Sequence, residues 1–304
     1  MLKLTSYIDL PPHVGNGAFD HADMHVATDR LYVAHTANDA IDVIDCARDV
    51  YVESFAGFTA VAGALAGEAL VFTSNRGENT VSIFAPGDEA SATKLAVGVG
   101  PNGLAFDPQR GLLLAANVGD SAIPGSASVT LIDVARRSVV VQFPMPGRTR
   151  WAMFDPKSAQ FFVNIANPAV IARIDAQSQR TLDPFAVPAK GPHGLAIDHA
   201  RGHLLCACDA GVLVVLDSAN GAVRGTVALS GAPDVVFLHP TLDRLYVAIE
   251  DPGVIDVIDL STLTRLQVMP TEPGAHTLAL DQVHNKLYCF LPQTHRAVVF
   301  HDAA

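Results

Sequence analysis

Short β-branched runs, separated by Gly, Pro and Asp turns, fill the chain, and no segment repeats its apolar positions at helical spacing. The runs Val129–Ile132, Val170–Ile174, Val212–Leu216, Val254–Ile258 and Ala297–Phe300 end at Asp133, Asp175, Asp217, Asp259 and His301, each 42 residues from the next. A fixed period of this length with one strand-rich unit per repeat is the mark of a radial repeat protein. Each unit reads alike. A Gly/Pro turn leads into a short inner strand, as in Gly100-Pro101-Asn102-Gly103-Leu104-Ala105-Phe106 and Gly191-Pro192-His193-Gly194-Leu195-Ala196-Ile197. A second strand follows, such as Leu245-Tyr246-Val247-Ala248, then an alternating third strand such as Ile41-Asp42-Val43-Ile44-Asp45. The fourth, as in Val223–Leu229, is the most polar and is placed at the outer edge. Four antiparallel strands per unit predict a propeller blade.

Third strands ending near Asp45, Phe84, Asp133, Asp175, Asp217, Asp259 and His301 predict seven blades in one domain spanning residues 1–304. The fold expectation is therefore all-β, a seven-bladed β-propeller. The second unit is degenerate, because Thr59–Ala69 has lost its Gly-Pro turn, and the third carries an insertion, Ser121–Ala127. The last unit stops at its third strand, while Lys3–Leu10 has the pattern of a fourth. The N-terminal strand is thus expected to complete the C-terminal blade and close the ring, covering an edge that would otherwise pair with other chains.

Composition narrows the partners. Hydrophobic residues make up 49% and charged residues 17%, enough apolar mass for a large core. A formal net charge of −11 argues against nucleic acid and anionic membrane surfaces as partners, since both need a basic face. The absence of a signal-like or bilayer-length apolar stretch gives a cytoplasmic expectation. Cys46, Cys206, Cys208 and Cys289 stand at strand positions otherwise held by Ala, Val or Ile and are read as buried free thiols.

Aligning the units places one residue per blade just after the turn, facing the axis: Asp20 or His21, Phe58, Asn102, Arg150, His193, Asp234 and His276. Successive blades contribute His193, Asp234 and His276, and the next offers His21 or His25. Two imidazoles and a carboxylate form a ligand set for a divalent ion such as Zn, Mn, Fe or Ni. Glu250 and Asp209, one strand back, are placed to move protons or to support the ligands, and Arg150 to clamp a substrate carboxylate or pair with a ring acid. The competing reading is a hydrated polar channel or a purely organic ligand site. The third-strand Asp residues are read as turn caps. No Gly-x-Ser-x-Gly elbow, phosphate-binding loop or haem-attachment motif occurs.

The units Leu31-Tyr32-Val33-Ala34…Ile41-Asp42-Val43-Ile44-Asp45 and Leu245-Tyr246-Val247-Ala248…Ile255-Asp256-Val257-Ile258-Asp259 resemble the YVTN-type repeat. That resemblance implies a seven-bladed propeller and no single function. The motif's Asn is kept as Asn75 and Asn117, with Thr36, Ala166, Asp209, Glu250 and Pro292 nearby in other units. Gly100-Pro101-Asn102-Gly103-Leu104-Ala105 is similar to the Pro-Asn-Gly-Leu element of gluconolactonase/senescence-marker-protein propellers. There, an Asn on that element and an Asp on a Pro-Asp-Gly element bind a divalent metal, Ca included, for lactone hydrolysis. Asn102 and Asp234 match those elements but stand three blades apart, and the family's N-terminal Glu has no counterpart. Gly191-Pro192-His193-Gly194 and Gly274-Ala275-His276 are similar to streptogramin-lyase propellers, which use His with a metal. These resemblances imply a metal-dependent hydrolase or lyase acting on a small ester, lactone or related carbonyl compound. Its metal would be held by His193, Asp234, His276, His21 and Asn102, with Glu250, Asp209 and Arg150 catalytic. The alternative is a non-catalytic propeller that binds a small molecule in its channel or a protein partner.

Overall fold

The computed structural model describes residues 1–303, and in it the strands form seven separate four-stranded antiparallel sheets. Blade 1 runs Phe19–His25, Arg30–His35, Ala40–Asp45 and Val50–Ala56, from the axis outward. Blades 2 to 6 open with Val61–Ala66, Pro101–Asp107, Thr149–Asp155, Pro192–Asp198 and Pro233–His239. Blade 7 takes Thr277–Asp281, Lys286–Leu291 and Arg296–Asp302 from the C-terminal part of the chain and Leu2–Asp9 from the N-terminal part. The inner strands pack in cyclic order, with Thr277–Asp281 against Phe19–His25 closing the circle. This is a seven-bladed β-propeller. Among the described residues no helix is long and apolar enough to cross a membrane.

The alternation read from sequence explains the layering. Second and third strands are apolar on both faces because each is sandwiched between neighbouring blades, and Leu31–Ala34, Leu113–Ala116 and Leu245–Ile249 are wholly buried. The fourth strands, such as Ser138–Pro144, are mostly exposed, as expected of an outer edge. The third-strand Asp residues cap turns: Asp133 accepts from the Arg136 amide at 2.9 Å, Asp175 from Ser178 at 2.6 Å, and Asp259 from Thr262 at 2.8 Å. All four cysteines are buried and free, with the Cys206 and Cys208 sulfurs 3.8 Å apart on a shared face.

Three details differ from the sequence reading. Phe58 precedes the inner strand of blade 2 and is buried with Tyr32 and Phe84, away from the axis. Without a Gly-Pro turn to mark it, that strand begins only at Val61, and register puts Ala62 at the ring position. The YVTN Asn column also shifts. Asn75 and Asn117 pair at the same register as His35, Ile165, Cys208, Ile249 and Leu291, so Thr36, Ala166, Asp209, Glu250 and Pro292 lie one residue beyond it, in the following loop. Blade 7's third strand also continues past His301 to Asp302.

Candidate functional site

Six of the inner strands slip register at their first residues, blade 2 at Ala62 among them. Pro192 pairs with Cys208 but Leu195 with Cys206, so His193 and Gly194 form a bulge; Asp20-His21, Asn102-Gly103, Arg150-Trp151 and Asp234-Val235 do the same. A bulge re-aims a side chain without breaking the ladder on either side. Here it places Asp20, Asn102, Arg150, His193 and Asp234 around one cavity of about 160 Å³, together with His21, Trp151, Arg76 and Arg148. In blade 5 two glycines make this possible. Gly191 takes φ +68°, and a Cβ there would fall 2.5 Å from the Asp209 carboxylate; a Cβ on Gly194 would strike the Asp234 carbonyl oxygen.

His193 is the centre of the arrangement. Its Nδ1 lies 2.7 Å from Asp209 Oδ1 and its Nε2 lies 3.2 Å from Asp234 Oδ1. Burial opposes the imidazolium, but Asp234 and then Asp209 overcome it and raise the ring to about 9. Burial likewise favours a neutral Asp234, yet His193, and behind it His276 and His21, hold that carboxyl well below the usual range. With both ring nitrogens protonated, Arg150 Nη1, 3.1 Å from Nε2, is a like-charged neighbour balanced by the carboxylates, and Arg150 Nη2 reaches Asp209 at 3.6 Å. The linkage has a definite sign. Stability from His193 is complete below its unfolded value near 6.5 and is lost as pH rises through about 9.

Around this dyad the charges are cationic. Arg76 pairs with Asp20 at 3.2 Å. Arg148 makes no ion pair or side-chain hydrogen bond among the described residues. Partial burial, then the charges of Arg150 and Arg76, push its guanidinium below its ordinary value. The cavity is thus lined by three guanidiniums and an imidazolium against the carboxylates of Asp20 and Asp234, in a chain whose net charge is −11. Asn102 Oδ1, Arg150 Nε and Arg76 Nε are buried with no protein partner. Three orphaned polar atoms on one small cavity are unusual in a native fold and point to a polar occupant.

Of the sequence-derived residues, Arg150, His193, Asp209, Asp234, Asn102 and His21 come together here. His276 is close enough for Asp234 and then Asp20 to raise it against the effect of burial, with Nδ1–H donating to the Gly274 carbonyl at 2.9 Å. Glu250 is exposed on the following loop, and its side chain forms no hydrogen bond or ion pair with the ring among the described residues. His25 lies at the far end of its strand, held by Thr28 and the Glu68 carbonyl. Tested against a divalent ion, the donors fit in part. Asn102 Oδ1 is free, but both His193 nitrogens face carboxylates and Arg150 stands against Nε2. Among the described residues no group of three or more His, Cys, Asp or Glu side chains is gathered as a metal site.

Sequence reasoning missed Arg76 and Arg148. Arg76 occupies the position just past the second strand that Asp209 and Glu250 hold in their blades, so one more look down that column would have found it.

No protein-family model and no curated protein matches the chain. Among solved structures it is similar to a chain of the hydrazine synthase of Kuenenia stuttgartiensis, with a TM-score of 0.83 and 12% identity over 96% of this chain and 98% of that one. At that identity the likeness shows the fold alone. Because 1795 chains of solved structures match, the likeness identifies an architecture and no activity. The class is the seven-bladed β-propeller.

Proposed function

We propose that the polar end of the channel binds a small organic anion, a carboxylate above all. The observation that carries this reading is the excess of cationic groups on one small cavity, Arg148 among them without an ion pair among the described residues. Arg150 and Arg148 would grip the carboxylate, through the bidentate fork that guanidinium offers. His193–H⁺ would add positive charge beside them, and Asn102 would meet a neighbouring hydroxyl or carbonyl. Binding of acetate, malonate and succinate, followed by calorimetry beside their neutral amides, tests the reading. Saturable binding of a carboxylate, at least tenfold weaker in an Arg148→Gln/Arg150→Gln variant and weakening as pH rises past about 9, supports it. Failure of every carboxylate to bind, or equal binding by the variant, overturns it.

A second reading, metal-assisted hydrolysis or lysis of a small ester or lactone, is favoured by one feature: the imidazoles of His193, His276 and His21 all stand near the Asp234 carboxylate. In it a divalent ion held by those residues and Asn102 would supply Lewis acidity, Arg150 would orient an anionic substrate, and Asp209 or Glu250 would hold protons. It requires His193 to give up a proton. Titration of chelator-treated protein with Zn²⁺ and Mn²⁺ separates the readings: stoichiometric binding lost in His193→Ala/His276→Ala favours the metal, and no binding favours the anion site alone.

A further inference from the structure

Below the bulges the channel changes character. In the next layer of the inner strands the register equivalents of Asp23 in the other six blades are Leu65, Ala105, Met153, Ala196, Phe237 and Ala279. Asp23 is the one charged residue at this register, and Leu65, Met153 and Phe237 share its chamber. Trp151 and His21, with ring centroids 4.4 Å apart and planes tilted by 50°, line both this layer and the polar cavity above and stand between them. Beneath them lies a chamber of about 170 Å³ that holds Asp23, and beyond it a wider vestibule of about 650 Å³; Leu65, Leu104, Ala152 and Met153 line both.

We infer that this lower chamber is a second binding site, selective for a small organic ammonium with an aromatic or alkyl body. The charge pattern is opposite to that of the upper cavity. Neither the chamber nor the vestibule is lined by any Lys or Arg, while Asp23 stands within and Glu68 at the outer wall. His21, the imidazole in the roof, is lowered by burial and so adds no positive charge. Asp23 forms no ion pair among the described residues. Its Oδ1 accepts from the Met24 amide and its Oδ2 from the Ala66 amide, each at 2.9 Å, which leaves both oxygens able to accept again. Those two amides lower the carboxyl less than burial raises it, to about 6. A carboxylate held in apolar surroundings without a counter-ion is costly, and a ligand that brings the missing positive charge recovers that cost. Trp151 and Phe237, edge to face at 6.3 Å, add aromatic faces that favour a cation, and Leu65, Leu104 and Met153 accept the apolar body.

The competing role for Asp23 is purely structural, a pin between the inner strands of blades 1 and 2, and the experiment separates the two. Trp151 is the only tryptophan in the chain, so its fluorescence reports occupancy of the chamber directly. The probes are 2-phenylethylamine, the neutral 2-phenylethanol and the anionic phenylacetate, each titrated into the whole protein near neutral pH. The expected result is saturable binding of the amine, at least tenfold tighter than the alcohol, with phenylacetate weakest. Asp23→Asn should erase the preference for amine over alcohol. Should that variant fold poorly, Leu65→Trp, which fills the chamber from one wall, should abolish binding of both, read by calorimetry because the variant carries a second tryptophan. The Arg148→Gln/Arg150→Gln variant should bind the amine unchanged, so loss of the upper site and loss of the lower one are read separately. Equal affinity for amine and alcohol, or unaltered binding in Leu65→Trp, would overturn the inference.

Discussion

A chain lacking Met1–Asp9 should fail to form a stable monomeric ring. The strand Leu2–Asp9 pairs with Arg296–Asp302 along its whole length, from Leu2 opposite Asp302 to Asp9 opposite Arg296, with one bulge after Leu4. Leu2 packs with Val298 and Phe300, and Ile8 with Ala297 and Val299, so the strand contributes to two different core clusters. Two fully buried aliphatic side chains contribute about 3–6 kcal/mol. That is comparable to the whole stability of many domains, about 5–15 kcal/mol. Truncation also bares the backbone of Arg296–Asp302 as an open edge, ready to pair with another copy. Size-exclusion chromatography and thermal melting by circular dichroism should show aggregated or unfolded protein. A monomer melting like the full chain would contradict the closure described above.

Asp302→Ala carries the second large effect. Asp302 is 1% exposed, accepts from Tyr246 Oη at 2.6 Å, and pairs with Arg244 and the Met1 amino group, joining blade 6 to blade 7. Removing the carboxylate leaves a largely buried guanidinium and a buried phenol without their acceptor, a loss of about 3–5 kcal/mol. Burial acts to raise the Asp302 carboxyl, but Arg244, the terminal amine and Tyr246 together outweigh it and hold the group below its ordinary value. Stability from this group is therefore present above the unfolded value near 4 and lost as pH falls below it. Denaturant unfolding should show the variant much less stable at pH 7, with the gap narrowing at the most acid pH. An equal gap at all pH values would assign the effect to packing alone.

The architecture was legible in the sequence because the repeat is carried by backbone chemistry. Turn-capping Asp residues at fixed spacing and two-faced apolar strands leave few other ways to fold. Asn102, Arg150, His193 and Asp234 could be placed on the axis because a Gly-Pro or Gly-x turn marks each one. Phe58 was misplaced because its unit lacks that marker and only register shows where its strand starts. Which partner each ring residue would choose was beyond reach. The distance from His193 to Asp209 depends on a bulge of two residues and on Gly191, features no periodicity displays. Arg148 and Asp23 were hidden for a different reason: each matters through the charges it lacks nearby, and that is a property of the closed ring.

The electrostatic state of His193 decides between a channel built for anions and one built for metal. A pH titration of its ring resonances by NMR, assigned with His193→Asn, measures that state directly. The account predicts an imidazolium that persists until about pH 9, held by Asp234 and Asp209. Titration at or below the ordinary histidine value near 6.5 would contradict it. The ring would then be neutral at physiological pH, with a lone pair free for a metal ion.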